Sequence, residues 1–181
     1  MPNILYLGAS IDGYIADRDG GLDWLHCVPN PDHDDFGFAA FMDSIDALIM
    51  GRNTFETVCG FDCPWPYSKP VFVVSRTLSS IPEAYQDKAE LLKVEEQSTC
   101  ADLVALLNSR GYKTLYIDGG KTVQSFLQED LIDEMIITTV PVVLGGGVPL
   151  FGELAQPLSF ALKSSDVLLN AMVKNHYLRT R

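Results

Sequence analysis

Met50-Gly51-Arg52-Asn53-Thr54-Phe55-Glu56 is the stretch on which the fold turns. It closes the run Ala47–Met50, which is apolar on both faces and reads as a strand buried in a mostly parallel sheet. Asn53, with Glu56 three residues on, reads as the cap and capping box of a helix. A strand, one glycine and a helix start make a βα unit whose glycine stands at the carboxyl end of its strand.

The same succession recurs on both sides. Ile4–Ala9, Val71–Val74 and Leu115–Ile117 are further short apolar runs, and the last leads into Gly119-Gly120. Between them lie helical patterns. Phe38, Phe41, Met42 and Ile45 have i, i+3, i+4, i+7 spacing after an acidic start at Asp34 and Asp35. Thr99 opens a helix whose apolar face is Cys100, Leu103, Val104 and Leu107 and whose stop is Gly111. Gly120 begins another, with Val123, Phe126 and Leu127 facing inward. From Met135 the texture changes to a β-rich run through Leu144, a Gly145-Gly146-Gly147 loop, and two strands, Ser159–Leu169 and Ala171–Arg179. No helical period separates those two, so they pair antiparallel at one side of the sheet. The expectation is a single domain over residues 1–181: a three-layer α/β/α fold whose mostly parallel central sheet carries an antiparallel C-terminal strand.

Composition narrows the function. The chain has 181 residues, 47% hydrophobic and 20% charged, enough apolar material for a sizeable core. Against 13 basic residues stand 24 acidic ones, a net charge of −11, so no nucleic-acid backbone is held by diffuse charge. An anionic ligand has to be gripped by a few placed cations and backbone N–H groups. No stretch approaches 18 apolar residues, which excludes a spanning helix and a membrane partner. The first residues have no basic leader segment, and the chain reads as mature and cytoplasmic. Cys27, Cys59, Cys63 and Cys100 read as reduced thiols, and no second ligand pair completes Cys59-x3-Cys63 as a metal site.

Several motifs fail on inspection. Gly119-Gly120-Lys121-Thr122 looks like the end of a phosphate-binding loop, but the required glycine five residues before Gly120 is Leu115. Gly8 and Gly13 do not make a dinucleotide fingerprint. Ser10 sits in no nucleophile elbow, and His26, His33 and His176 share no spacing. What survives is a glycine pair between strand and helix, suited either to a tight turn or to the close approach of a phosphate. Arg52, Arg76 and Lys121 each follow a strand, and in an α/β sheet those strand ends open on one edge.

Taken in order, the segments Ser10–Ala16, Met50–Glu56, Val73–Thr77, Tyr116–Gly120, Leu131–Glu134 and Pro141–Gly147 with Pro149-Leu150-Phe151 resemble the dihydrofolate-reductase-like superfamily. The resemblance covers roughly residues 3 to 178. It is nearest the C-terminal reductase domain of the bifunctional riboflavin-biosynthesis deaminase/reductase and its stand-alone relatives. It implies an NADPH-dependent reductase. Gly51, Arg52, Asn53 and Thr54 match the loop and helix start at the cofactor's phosphates. Ser75 and Arg76 match the positions beside the adenosine 2′-phosphate. Asp118, Gly119, Gly120, Lys121 and Thr122 match the loop under the pyrophosphate, and Ala9 and Ile15 match positions lining the nicotinamide.

On the substrate side the resemblance offers Asp35 as the catalytic carboxylate at a helix start, with Asp34 and Asp32 as alternatives because the segment from Trp24 to Asp35 is longer here than in the folate enzymes. Trp24 and Trp65 are the candidate substrate contacts, the latter in a stiff Cys63-Pro64-Trp65-Pro66-Tyr67 loop that either lids a flat ring or packs onto the core. Folate recognition is disfavoured, because from Asn53 to Ser75 the only cation is Lys69. The nearest named activity is 5-amino-6-(5-phosphoribosylamino)uracil reductase. A dihydrofolate reductase and a non-catalytic NADP(H)-binding protein of the same fold stay open. Phe151, Phe160, Leu162, Val167, Leu168 and Leu169 give the tail more apolar surface than one small sheet face needs, which points to a homodimer.

Overall fold

A computed structural model describes residues 1–181. Its elements run β1 (Asn3–Ser10), β2 (Tyr14–Ala16), α1 (Phe38–Ser44), β3 (Ala47–Gly51), α2 (Arg52–Cys59), β4 (Val71–Ser75), β5 (Ala89–Lys93), α3 (Cys100–Ser109), β6 (Leu115–Asp118), α4 (Gly120–Gln128), β7 (Glu134–Val140), β8 (Val148–Pro149), β9 (Phe160–Leu168) and β10 (Met172–Arg179). Eight strands form one sheet in the order β5-β4-β3-β6-β1-β7-β10-β9. The pairs from β5 across to β7 are parallel, while β10 lies antiparallel to both β7 and β9. β2 and β8 make a separate antiparallel pair.

The strand interiors explain the layering. Leu5 and Ala9 of β1, Ile49 of β3 and Ile117 of β6 join Leu107 of α3 and Val123, Phe126 and Leu127 of α4 in one core. Ile4, Leu48, Met50 and Tyr116, one residue out of phase, join Phe41 and Met42 of α1 and Phe55 of α2 in the other. Each parallel strand is therefore buried on both sides, as its unbroken apolar run required. Truncating a fully enclosed residue such as Phe126 or Phe55 to alanine would cost about 3–5 kcal/mol.

Several local readings need correction. Asn53 does not cap α2; Gly51 occupies that position and Asn53 lies in the first turn, where its carbonyl accepts the Thr57 hydroxyl at 2.8 Å. Glu56 closes no capping box but pairs with Arg52 at 2.7 Å. Helix α1 starts three residues after Asp35, behind Gly37 at φ 87°. The strand from Met135 ends at Val140, because the Asp12 carboxylate takes the N–H groups of Leu144 and Gly145 and draws the chain out of the sheet. By contrast α3 has Thr99 as its cap with a reciprocal Asp102, and α4 begins at Gly120.

Topology fixes where a ligand can sit. From β1 the chain passes over the position of β6 to reach β3, moves outward to β5, and returns to place β6 between β1 and β3. That reversal opens a crevice at the carboxyl ends of β1, β6 and β3. Ser10, Asp118 and Gly51 are the residues standing there.

Candidate active site

Two helices begin in this crevice without a side-chain cap. The caps of α2 and α4 are Gly51 and Gly119, and neither start receives a side-chain hydrogen bond. α3 and α1 differ: α3 has its capping box, and at α1 the Asp35 carboxylate accepts the N–H groups of Gly37 and Ala39 at 2.8 and 2.9 Å. The two uncapped starts interlock. A β-carbon on Gly119, whose φ is +93°, would collide with Thr54 of α2, and one on Gly51 would lie 2.9 Å from Thr122 Oγ1 of α4. Glycine at both positions lets the helix starts close on one another. Their amide groups and dipoles then favour an anion between them.

The cations stand beside this point. Arg52 is exposed; its Nε donates to Glu56 and its Nη1 to Thr77 Oγ1 at 3.2 Å. Arg76, just past β4, and Lys121, in the first turn of α4, are exposed and make no ion pair. Ser75 is buried, and its Oγ accepts the N–H groups of Thr77 and Leu78 at 3.1 and 2.9 Å. It therefore shapes the turn that presents Arg76.

Asp118 ends β6 with its carboxyl in this crevice. Although the residue retains some surface, the carboxyl itself is surrounded by protein. Burial pushes it up to about 6, against the opposing pull of the Gly119 N–H and the Tyr67 hydroxyl. The Gly119 N–H donates to Oδ1 at 2.8 Å and the Tyr67 hydroxyl to Oδ2 at 3.3 Å. By the two-residue period it shares the face of Tyr116, toward α1 and α2.

Two loops cover the edge. Ile15 and Val148, from the β2–β8 pair, approach within 3.2 and 3.1 Å of where a β-carbon on Gly120 would be. Ala9 is enclosed in the core beneath α4, with Ile15 packed against the same cluster. Ser10 Oγ donates to Asp12 at 2.6 Å and accepts the Tyr14 N–H, so this serine braces a loop. Neither that brace nor the Asp12 clasp on the 144–145 loop is signalled by any local motif.

The substrate-side candidates are dispersed. Asp35 is exposed, both oxygens hold its own helix start, and those backbone N–H groups keep it below the usual carboxylate range. It acts as a helix anchor and is a poor proton donor. Trp24 lies in a short 3-10 turn, Asp23–His26, with Nε1 donating to Gly21 O at 3.2 Å, and its neighbour Leu25 covers Gly8 of β1. Trp65 packs edge-on to Phe55 and Tyr67 and tilted to Tyr85, so its loop is seated on α2 rather than free as a lid. The groove it borders lies by Lys69, Pro70 and Val71, at the amino end of β4 and away from the glycines. His176 pairs with Glu134 across β10 and β7 at 2.6 Å. No three His, Cys, Asp or Glu side chains gather as a metal site would, and no helix is long and apolar enough to cross a membrane.

Comparison with known proteins agrees with this architecture. Residues 4–174 match the model of the RibD C-terminal domain. The uncharacterized Bacillus subtilis protein YwjB is 35% identical over 176 residues, 97% of each chain. A crystal structure from Shewanella sp. PV-4, of a protein tied by name alone to riboflavin biosynthesis, is 54% identical with a TM-score of 0.95 and covers all of both chains. The diaminohydroxyphosphoribosylaminopyrimidine deaminase/5-amino-6-(5-phosphoribosylamino)uracil reductase of Thermotoga maritima superposes with a TM-score of 0.74 over 99% of this chain and 57% of its own. At 14% identity that likeness speaks to the fold.

Proposed function

This chain belongs to the RibD C-terminal domain family, and from that premise we propose that it is an NADPH-dependent reductase of a small heteroaromatic ring of pyrimidine or pterin type, similar to 5-amino-6-(5-phosphoribosylamino)uracil reductase. The observation that carries this reading is the interlock of two uncapped, glycine-started helices at the topological switch point. In a chain of net charge −11, a convergence of helix starts with Arg52, Arg76 and Lys121 favours a ligand with several phosphates. A reductase of this kind, with four free cysteines, fits a cytoplasmic setting.

The residues divide the work. The starts of α2 and α4 hold the pyrophosphate, with Thr54 and Thr122 setting their spacing. Arg76 meets the 2′-phosphate, and Arg52 is the second contact. Ile15, over Gly120, closes the reduced ring off from water. When bound, the cofactor supplies the hydride. Asp118 braces the Gly119 turn at the phosphate end, and Asp35, ionised and tied to α1, anchors a helix start.

Mixing the protein and NADPH with a panel of pterins, pyrimidines, quinones and flavins tests the proposal. NADPH oxidation with a pyrimidine or pterin, slowed at limiting NADPH in Arg76→Ala, is expected. Tight NADPH binding with no oxidation by any member would leave a nucleotide-binding protein in its place.

A further inference from the structure

α4 carries Gln124 and Gln128 one turn apart, and Gly120 stands one turn before them. Positions four apart share one stripe of a helix. Along that stripe runs the segment that follows the Gly145-Gly146-Gly147 loop. Val148 Cγ1 and the Pro149 carbonyl oxygen come within 3.1 and 3.3 Å of where a β-carbon on Gly120 would be. One turn on, Gln124 Nε2 donates to that same Pro149 carbonyl at 2.9 Å. At the next turn Gln128 Nε2 reaches the Glu153 carbonyl at 3.5 Å. A β-carbon on Gly152 would lie 3.0 Å from Gln124 Oε1, so glycine lets the chain pass close against this side chain.

The place of this segment matters because of what it carries. Val148 and Pro149 are the whole of β8, and β2 is its only partner strand. Tyr14 pairs with Pro149 and Ala16 with Val148, and the Leu150 N–H donates to the Gly13 carbonyl at 2.9 Å. Ile15 lies between those two pairs, so its place over Gly120 depends on where β8 is held. Pro149 has no N–H of its own to give. Leu150 is enclosed in the core with Val123 and Leu127 and pegs the segment from below. Gln124 is the one side chain that hydrogen-bonds β8 itself.

We infer that Gln124 is a positioning residue for the cofactor site: it hangs β8 on α4, so that the roof of Val148 and Ile15 is set by the same helix whose first turn meets the pyrophosphate. The inference rests on the reductase reading above for its ligand, but not for the tie itself. A roof tied to the helix beneath it keeps one spacing, and a pyrophosphate at the start of α4 then lies beside apolar side chains that exclude water. In such a space the attraction between phosphate and helix N–H groups is stronger than in open water. Loosening the roof therefore costs affinity for a ligand that reaches under it and spares one that stops at Arg76.

The test is Gln124→Met, which keeps the length of the side chain and removes the amide donor. In protein without ligand, hydrogen exchange at the Leu150 amide should quicken severalfold. Calorimetric titration should show NADPH and NADH weakened alike, roughly three- to tenfold, the size of one ordinary hydrogen bond. Adenosine 2′-monophosphate, which meets Arg76 but has no pyrophosphate, should bind as it does to the wild type. Gln128→Met frees only the Glu153 end and should change neither exchange at Leu150 nor cofactor affinity. Unchanged affinity for both cofactors in Gln124→Met overturns the inference, and so does an equal loss in Gln128→Met. A wild type that oxidises NADPH with no ring of the panel, while Gln124→Met still weakens both cofactors, would count against the reductase reading alone.

Discussion

The side chain of Thr54 stands where a β-carbon on Gly119 would have to be. Two residues 65 positions apart in the chain thereby bring the starts of α2 and α4 into register. At φ +93° and ψ 145° Gly119 also occupies backbone space that other residues rarely reach.

Gly119→Ala should therefore be costly twice over. Backbone strain of this kind is worth about 1–3 kcal/mol, and the collision with Thr54 adds to it. The variant is expected to melt several degrees lower and to bind NADPH at least tenfold more weakly. Adding Thr54→Ala should relieve the collision and leave the strain. Unchanged NADPH affinity in Gly119→Ala would show that the interlock does not build the site.

Asp118→Asn should change how stability depends on pH. In the folded chain the carboxyl sits at about 6, above its ordinary 3.8, so the folded state binds the extra proton between those values. Stability accordingly falls as pH rises from about 4 to about 6, by an amount on the order of 1–3 kcal/mol. The asparagine keeps an acceptor for the Gly119 N–H and is not charged. It should melt higher than the wild type at pH 7 and lose that advantage at pH 4. Denaturation at both pH values checks this.

Asp35 predicts the opposite dependence. Its folded value is depressed by the Gly37 and Ala39 N–H groups, so its contribution is present above the ordinary carboxylate range and lost as pH falls through it. Asp35→Asn should weaken the chain at neutral pH more than at pH 3 while leaving turnover in place. Dihydrofolate should be a poor substrate for either form. A brisk dihydrofolate reductase rate abolished by Asp35→Asn would restore the catalytic role to this residue.

How much of this was legible follows from what each feature depends on. The parallel strands were readable because Leu48, Ile49 and Ile117 are buried on both faces and carry no polar alternation. Edge strand β5 was not, since Glu90 and Lys93 face water and break the apolar run. The Thr99 cap was visible because it is local; the Asn53 cap was misread because Gly51, which Thr122 crowds, takes the position. Arg52, Arg76 and Lys121 could be picked out by their places after strands. The elevated Asp118 could not, because its environment comes from Tyr67, Tyr116 and Gly119 together. The Trp65 loop stayed open between lid and packing because aromatic residues between prolines serve both alike, and only its contacts with Phe55 and Tyr85 decide.

The homodimer remains a proposal with a definite surface. Val167, Val173 and Leu162 are exposed on one face of β9–β10, beside a concavity of about 380 Å³ lined by Ile137, Phe151, Leu158 and Tyr177. None of these side chains is charged, in a chain of net charge −11, so two copies meet there with least repulsion. Sedimentation should give twice the 20.0 kDa chain mass, and Val167→Glu should halve it without unfolding the chain. A wild type sedimenting as a single chain at micromolar concentration removes this surface from the account.

The most direct measurement is calorimetric titration of the wild type and Arg76→Ala with NADPH and with NADH. Both cofactors carry the pyrophosphate, so the helix starts behind Gly51 and Gly119 cannot tell them apart. The 2′-phosphate alone differs, and Arg76, exposed and without an ion pair, is placed to meet it. A charge-assisted contact worth roughly 1.5–3 kcal/mol corresponds to a preference of about ten- to a hundredfold. The account predicts one NADPH per chain, bound that much tighter than NADH, with the preference lost in Arg76→Ala and NADH affinity nearly unchanged. No binding of either cofactor, or equal binding of both by the wild type, would contradict it.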